Sequence, residues 1–278
     1  MPAGSMIDDA DPLAMNNVSD TGPQSSQGTL VFEHGLGTNQ QCWEQVVAAF
    51  PDWRIVRLDN VGASPVTQPH FRHNRYLKLE SYAEDLVAVL DALQVRDAVL
   101  VGHSVGAMIS MLAAQRRPER VARLVMIGAS PRYQDEPGYH GGFRPEDVDD
   151  IYRAITADHA GWATGFAAAA VGADNAHYGA EFAASLRDIP PAITLTVLYS
   201  ILQSDLRDAL RHTTQPTLLI HSREDHVVPN EVAQYLHSQI RRSQLEIIDA
   251  SGHLPHVTAA PLVVAAMQRF LGAGQALP

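Results

Sequence analysis

Ala98-Val99-Leu100-Val101-Gly102-His103-Ser104-Val105-Gly106 is the stretch that decides how this 278-residue chain is read. Its first four residues form a continuous apolar run, the mark of a strand buried on both faces. The next five match G-x-S-x-G, and residues 107–117 behind them read as a helix stopped by Pro118. A serine between a buried strand and a helix start must sit on a sharp, strained turn, so its neighbours have to be small. That turn lifts the hydroxyl above the end of the sheet. It also aims backbone N–H groups at the helix N-terminus, where a developing anion is stabilised. A glycine-flanked serine without this context is an ordinary turn residue. With it, Ser104 reads as a nucleophile.

Outward from the turn, strands and helices alternate. Residues 29–32, 53–58 and 124–127 read as strands, and residues 81–93 as an amphipathic helix with Tyr82, Leu86, Val89 and Leu93 on one face. From about residue 131 to 211 the alternation stops and only helical patterns remain, among them 146–157, 162–171 and 192–203. It resumes with a strand at 217–221, a helix at 231–240, a strand at 245–248 and a helix at 261–271. Alternation of this kind implies an α/β fold, a mostly parallel twisted sheet covered by helices. The expected division is a flexible stretch over 1–28, a core over 29–130 and 212–278, and an inserted helical lid over 131–211. Ligands in such sheets bind beside the C-terminal ends of the strands, where the lid would lie.

A serine hydroxyl needs a base to take its proton. In this fold the chain order is Ser, then acid, then His. Asp225 follows the strand at 217–221, and His253 follows the strand at 245–248, so both lie on loops at the sheet edge that carries Ser104. His253 would act as general base and then general acid, while Asp225 would hold its tautomer. Glu224 competes with Asp225 but is expected to face solvent. His256 competes with His253, whose preceding Gly252 gives it the freer loop. A metal pair at His253 and His256 lacks a third ligand at matching spacing. The glycine turn at 34–37 suits the second half of an oxyanion hole, and the two donors are assigned to the amides of Leu36 and Val105. No cofactor and no metal is called for.

Composition narrows the partners. Twenty Lys and Arg against thirty-one Asp and Glu give a net charge of −11. That balance opposes nucleic acid or an anionic membrane surface, since both need clustered cations. One cysteine, Cys42, allows no intrachain disulfide. The first 28 residues are polar with no apolar h-region, and no apolar run is long enough to span a bilayer, so a cytoplasmic setting is expected. Residues 1–11 are expected to be dispensable, and Gly4-Ser5-Met6 looks like an expression scar.

These residues, taken together, resemble the strigolactone- and karrikin-receptor clade of α/β-hydrolases and the related bacterial stress regulator RsbQ. The likeness runs from about residue 16 to 271. It rests on His34-Gly35-Leu36-Gly37-Thr38-Asn39-Gln40, on Gly102 to Met108, and on Ser130-Pro131-Arg132-Tyr133. It rests also on Tyr139-His140-Gly141-Gly142-Phe143, Gly165-Phe166, Val171-Gly172-Ala173-Asp174, Ser204-Asp205-Leu206-Arg207 and Gly252-His253-Leu254-Pro255. The resemblance implies a V-shaped four-helix lid, a small apolar pocket and slow hydrolysis of butenolide-type lactones or ester-like signals. It carries the family's triad onto Ser104, Asp225 and His253. It carries pocket-lining roles onto Leu36, Tyr133, Phe143, Trp162, Phe166 and Val227. This chain departs from the family at Leu36, where Phe is usual, at Leu202, where an aromatic is usual, and at Gly106, where serine or another small residue stands. A wider and less aromatic pocket is expected.

Three functions fit these residues. The first is a serine hydrolase of a small, mostly apolar ester or lactone, working through an acyl-enzyme. The second is a ligand-sensing signalling protein, slow in hydrolysis, that contacts a protein partner through its lid. The third is a carbon–carbon bond hydrolase or cofactor-free haloperoxidase. Dehalogenase and epoxide hydrolase chemistry is disfavoured, because those relatives carry Asp at the nucleophile position.

Overall fold

A computed structural model describes residues 11–23, 26–172 and 175–272. Seven strands form one sheet: β1 (Ser19–Thr21), β2 (Thr29–Glu33), β3 (Arg54–Arg57), β4 (Ala98–His103), β5 (Val121–Ile127), β6 (Thr217–Glu224) and β7 (Ser243–Ser251). Their spatial order is β1-β3-β2-β4-β5-β6-β7, with β1 antiparallel to β3 and every other pair parallel. The central strands bury both faces, as their unbroken apolar runs require. Successive side chains point to opposite faces. Leu100, Leu124 and Met126 therefore enter one core, while Val99, Val101, Val125 and Ile127 enter the other.

Helices cover both faces. Short α1 (Pro12–Met15) precedes β1, and α2 (Glu44–Val47) follows β2. The face holding Leu100 is covered by α3 (Leu79–Ala92), α4 (Val105–Arg116) and α9 (Asn230–Gln239) through Leu86, Val89, Met108, Met111, Val232 and Leu236. The other face takes α2 and, after short α10 (Pro255–Thr258), α11 (Ala260–Gly272). Val263, Ala266, Met267 and Phe270 lie three, four and seven residues apart on α11 and are all buried in that core. Each of the three larger ones stabilises the fold by about 1.5–3 kcal/mol on full burial.

Between β5 and β6 the chain forms α5 (Pro145–Ala157), α6 (His159–Val171), α7 (Ala176–Arg187) and α8 (Pro191–Leu202). Ala163, Ala167 and Ala170 of α6 pack against Phe182, Ala183 and Leu186 of α7 in a small core of their own. The two ends of this helical segment are tied together. Leu206 N–H donates to Pro131 C=O at 2.8 Å, and Glu136 accepts from Arg132 at 2.7 Å and from Arg207 at 2.6 Å.

One expectation needs correcting. Residues 12–21 lie in the stretch read as flexible, yet they form α1 and edge strand β1. Asp59 holds them, accepting from Asn17 Nδ2 at 2.8 Å and donating its own N–H to Asn16 C=O at 2.8 Å. Arg54 pairs with Asp20 across β1 and β3 at 2.6 Å. Ser-Asp-Thr at an exposed edge carries no apolar alternation, so the sequence held no signal for it. Of residues 1–11, the stretch expected to be dispensable, 1–10 lie outside the described residues, as do Ala173 and Asp174 of the segment that resembles the family. Among the described residues no helix is long and apolar enough to cross a membrane.

Candidate active site

Ser104 occupies the single residue between β4 and α4, at φ 53° and ψ −123°. Left-handed backbone is costly for a residue with a side chain, by about 1–3 kcal/mol, and persists where its surroundings over-determine it. Here they do. Ser104 N–H donates to Ile127 C=O of the neighbouring strand at 2.8 Å. Behind it, Gly106 lies so close to β2 that a Cβ would meet the carbonyl oxygens of His34 and Glu33 at 2.4 and 2.6 Å. The small residue is thus demanded by backbone contact between α4 and the end of β2.

Two loops bring polar partners to the serine. His253, after β7, accepts from Ser104 Oγ at its Nε2 across 2.9 Å and donates from Nδ1 to Asp225 Oδ2 across 2.7 Å. Asp225, after β6, turns its other oxygen to the N–H groups of Val227 and Val228 at 2.8 and 2.9 Å. Burial alone would raise this carboxyl. The charge and hydrogen bond of His253, the charge of His221 and the Val228 amide outweigh it and hold the group below the usual carboxylate range. An ionised Asp225 fixes the His253 tautomer with Nδ1–H, leaving Nε2 free to take a proton. Glu224 is exposed at the strand end and does not reach this chain of bonds. His256 is fully buried against Trp43 and His103 with ring centroids 4.5 and 4.2 Å away, and it does not reach Ser104. Tyr133, unseen in the sequence as a partner of the serine, places its hydroxyl 3.2 Å from Ser104 Oγ. Because that Oγ donates to His253, Tyr133 is the donor here; burial pushes its own ionisation well up, so it keeps the proton.

The loop after β2 is locked from within. Gly35 C=O accepts from His34 Nδ1 at 2.8 Å and from Thr38 Oγ1 at 3.1 Å, and His34 Nε2 accepts from Asn60 N–H at 2.9 Å. With that carbonyl turned back, the Leu36 amide meets no protein acceptor among the described residues, and neither does the Val105 amide at the start of α4. Two free N–H groups beside a hydroxyl can receive an oxygen that gains negative charge.

Above Ser104 and His253 lies an apolar cavity. Leu36, Tyr133, Phe143, Trp162, Phe166 and Val227 all line it. Trp162 and Phe166 stack at 5.4 Å and 10°, one turn apart on α6, and Phe166 also packs on Phe182. These two rings therefore serve the wall and the helix packing at once. The wall also includes Leu202, where the resemblance led to a less aromatic pocket, and Ile151, Phe182, Leu198, Ile201 and Leu254, which sequence reasoning did not assign to the pocket. The repeat of Tyr178, Phe182 and Leu186 at four-residue spacing was the available signal for α7.

This architecture has relatives. The alpha/beta hydrolase fold family model matches residues 28–260. The chain belongs to that family. It is 40% identical to the strigolactone esterase RMS3 of Pisum sativum over 233 residues, 83% of this chain and 87% of that protein. It is 38% identical to the karrikin insensitive 2 receptor CA of Petunia hybrida over 250 residues, 89% of this chain and 93% of the receptor. Among solved structures, a hydrolase from Oleispira antarctica superposes with a TM-score of 0.90 at 30% identity, covering 94% of this chain and 96% of that one.

Beneath Ser104 and His253, this alpha/beta hydrolase buries further titratable groups. His103 Nε2 donates to the backbone carbonyl of His253 at 2.7 Å, so the residue before the serine supports the histidine loop. Burial first, then the neighbouring imidazoles, lower His103 well below the ordinary histidine value and bring His256 to about 3. Both stay neutral. Glu33, at the end of β2, has both carboxyl oxygens buried without a hydrogen-bond partner among the described residues, and burial raises it to about 8. Among the described residues no group of three His, Cys, Asp or Glu side chains could hold a metal ion.

Proposed function

We propose that this protein hydrolyses a small, mostly apolar ester or lactone of the butenolide type through an acyl-enzyme on Ser104. The observation that carries the reading is the unbroken chain Ser104–His253–Asp225, at 2.9 and 2.7 Å, beneath an apolar cavity. Ser104 Oγ attacks the carbonyl carbon while its proton passes to His253 Nε2. The carbonyl oxygen, now negative, is received by the Leu36 and Val105 amides. The C–O bond to the alcohol then breaks, and His253 returns the proton to the departing oxygen. Water repeats the sequence on the acyl-enzyme, losing a proton to His253 and releasing the acid and Ser104. The names of the relatives, a strigolactone esterase and a karrikin receptor, support ester chemistry on a small ligand.

A second reading, a slow hydrolase that senses its ligand and contacts a protein partner through α5–α8, draws on one observation. The last turn of α6 is hydrogen-bonded to the backbone of His253 itself. A ligand event at the histidine is thereby joined to the outer helices.

The test is Ser104→Ala with p-nitrophenyl acetate, alongside intact-mass spectrometry after exposure to butenolide lactones. Loss of hydrolysis in a folded variant, and an adduct on Ser104 or His253 in the parent, are expected. Parent-like turnover in Ser104→Ala would overturn the nucleophile. Fast multiple turnover favours the enzyme; slow turnover with a ligand-dependent partner favours the sensor.

A further inference from the structure

Leu36 has an apolar cavity on each side. One is the cavity above Ser104. The other lies between α8 and the core and is lined by Val61, Ala63, Ile109, Ile189 and Val197, with Gly35 and Val105 at the end nearest the reaction. Leu36 and Ile201 wall both cavities. Leu36 is half-buried, and a side chain of that kind changes rotamer easily compared with a fully packed one.

The direction of the reaction separates the two spaces. His253 must hand its proton to the departing oxygen, so the alcohol part of the substrate lies on the histidine side. That side is the cavity lined by His253, Val227 and Leu254. The carbonyl oxygen faces the Leu36 and Val105 amides. The remaining substituent on the carbonyl carbon, the acyl chain, is left pointing past those two residues. Both of them also line the second cavity.

We infer that the cavity between α8 and the core is an acyl-chain subsite, entered past Leu36, which takes an unbranched apolar chain longer than acetyl. The inference rests on the nucleophile assignment above, and its consequence is substrate class. The favoured ester has a compact apolar alcohol or enol part and a medium-length acyl chain.

The experiment is a chain-length series of p-nitrophenyl acetate, butyrate and octanoate, read as the octanoate-to-acetate ratio of kcat/KM. Two variants narrow the subsite from opposite walls, Val197→Phe on α8 and Ala63→Leu on the loop after β3, with circular dichroism to report folding. The ratio should favour octanoate in the parent. It should fall at least about tenfold in each folded variant, since a mismatch of one methylene in an apolar site costs about 10–200-fold. Rates falling steadily from acetate onward in the parent would overturn the subsite. So would a ratio unchanged within about twofold in whichever variant folds. Ser104→Ala on acetate is run beside the series. Its inactivity together with a flat chain-length response would remove the subsite and leave the nucleophile standing.

Discussion

The backbone N–H of His253 donates to the carbonyl of Ala170, in the last turn of α6, across 2.6 Å. Residues 170 and 253 come from the helical segment and from the loop after β7, far apart in the chain. The terminal carbonyls of a helix lack intrahelical partners, and this one is satisfied by the residue that would accept the serine proton. The contact is close because Gly252 stands before the histidine. At φ +95°, a Cβ on residue 252 would sit 2.4 Å from Val171 C=O.

Gly252→Ala should therefore damage both fold and chemistry. The strained backbone costs about 1–3 kcal/mol, and the collision with Val171 adds to it. Thermal denaturation should show a melting temperature lower by several degrees, at roughly 2–4 °C per kcal/mol. Hydrolysis of p-nitrophenyl acetate should fall further than stability alone explains. A variant as stable and active as the parent would mean that the loop and α6 move apart freely.

Asp225→Asn should lower kcat by roughly 10⁴, because an amide no longer holds His253 in the tautomer with Nδ1–H. Glu224→Gln should stay near the parent, since that side chain is exposed and makes no bond to His253. Initial rates on the acetyl ester decide the matter. A crippled Glu224→Gln beside a healthy Asp225→Asn would reverse the assignment of the acid.

What the sequence revealed follows from how local each signal was. The turn at 102–106 announces itself because strand, glycines and helix are consecutive. Asp225 and His253 were legible because each closes a strand of the same sheet, so topology fixes their side of the molecule. The bond from Tyr133 to Ser104 was not legible, since it joins residues 29 apart through a loop whose path depends on tertiary packing. Strand β1 escaped because three polar residues at an edge bury almost nothing. The second cavity beside Leu36 is a product of how α8 settles on the core, which periodicity alone does not encode.

Glu33 and His256 give stability a pH dependence of opposite signs. The Glu33 carboxyl is raised from 4.5 to about 8, so between those values the folded chain keeps a proton that the unfolded chain has lost. Stability then falls as pH rises through that window and levels off above it. His256 is lowered from 6.5 to about 3, so below 6.5 the unfolded chain binds the extra proton and stability falls as pH drops. Glu33→Gln, neutral at every pH, should gain melting temperature relative to the parent between pH 7 and pH 9, where His256 is neutral in both states. A constant difference across that range would mean that Glu33 is already ionised at pH 7.

The stacked pair on α6 tests the cavity wall. Trp162 and Phe166 are four residues apart, share one face and both line the space above Ser104. If a butenolide-type ligand sits there, truncating either ring removes apolar surface from its site. Trp162→Ala and Phe166→Ala should each weaken its binding by about 1–3 kcal/mol, the worth of burying such a side chain. Hydrolysis of p-nitrophenyl acetate, followed beside the titration, shows whether Ser104 and His253 keep their geometry in each variant. The same truncations also strip packing from α6 and α7, so circular dichroism must show that the helices persist. Ligand titration followed by intrinsic fluorescence of Trp43 and Trp53 remains usable in both variants. Unchanged affinity in two folded variants would confine these rings to packing between α6 and α7 and move the ligand to another part of the cavity.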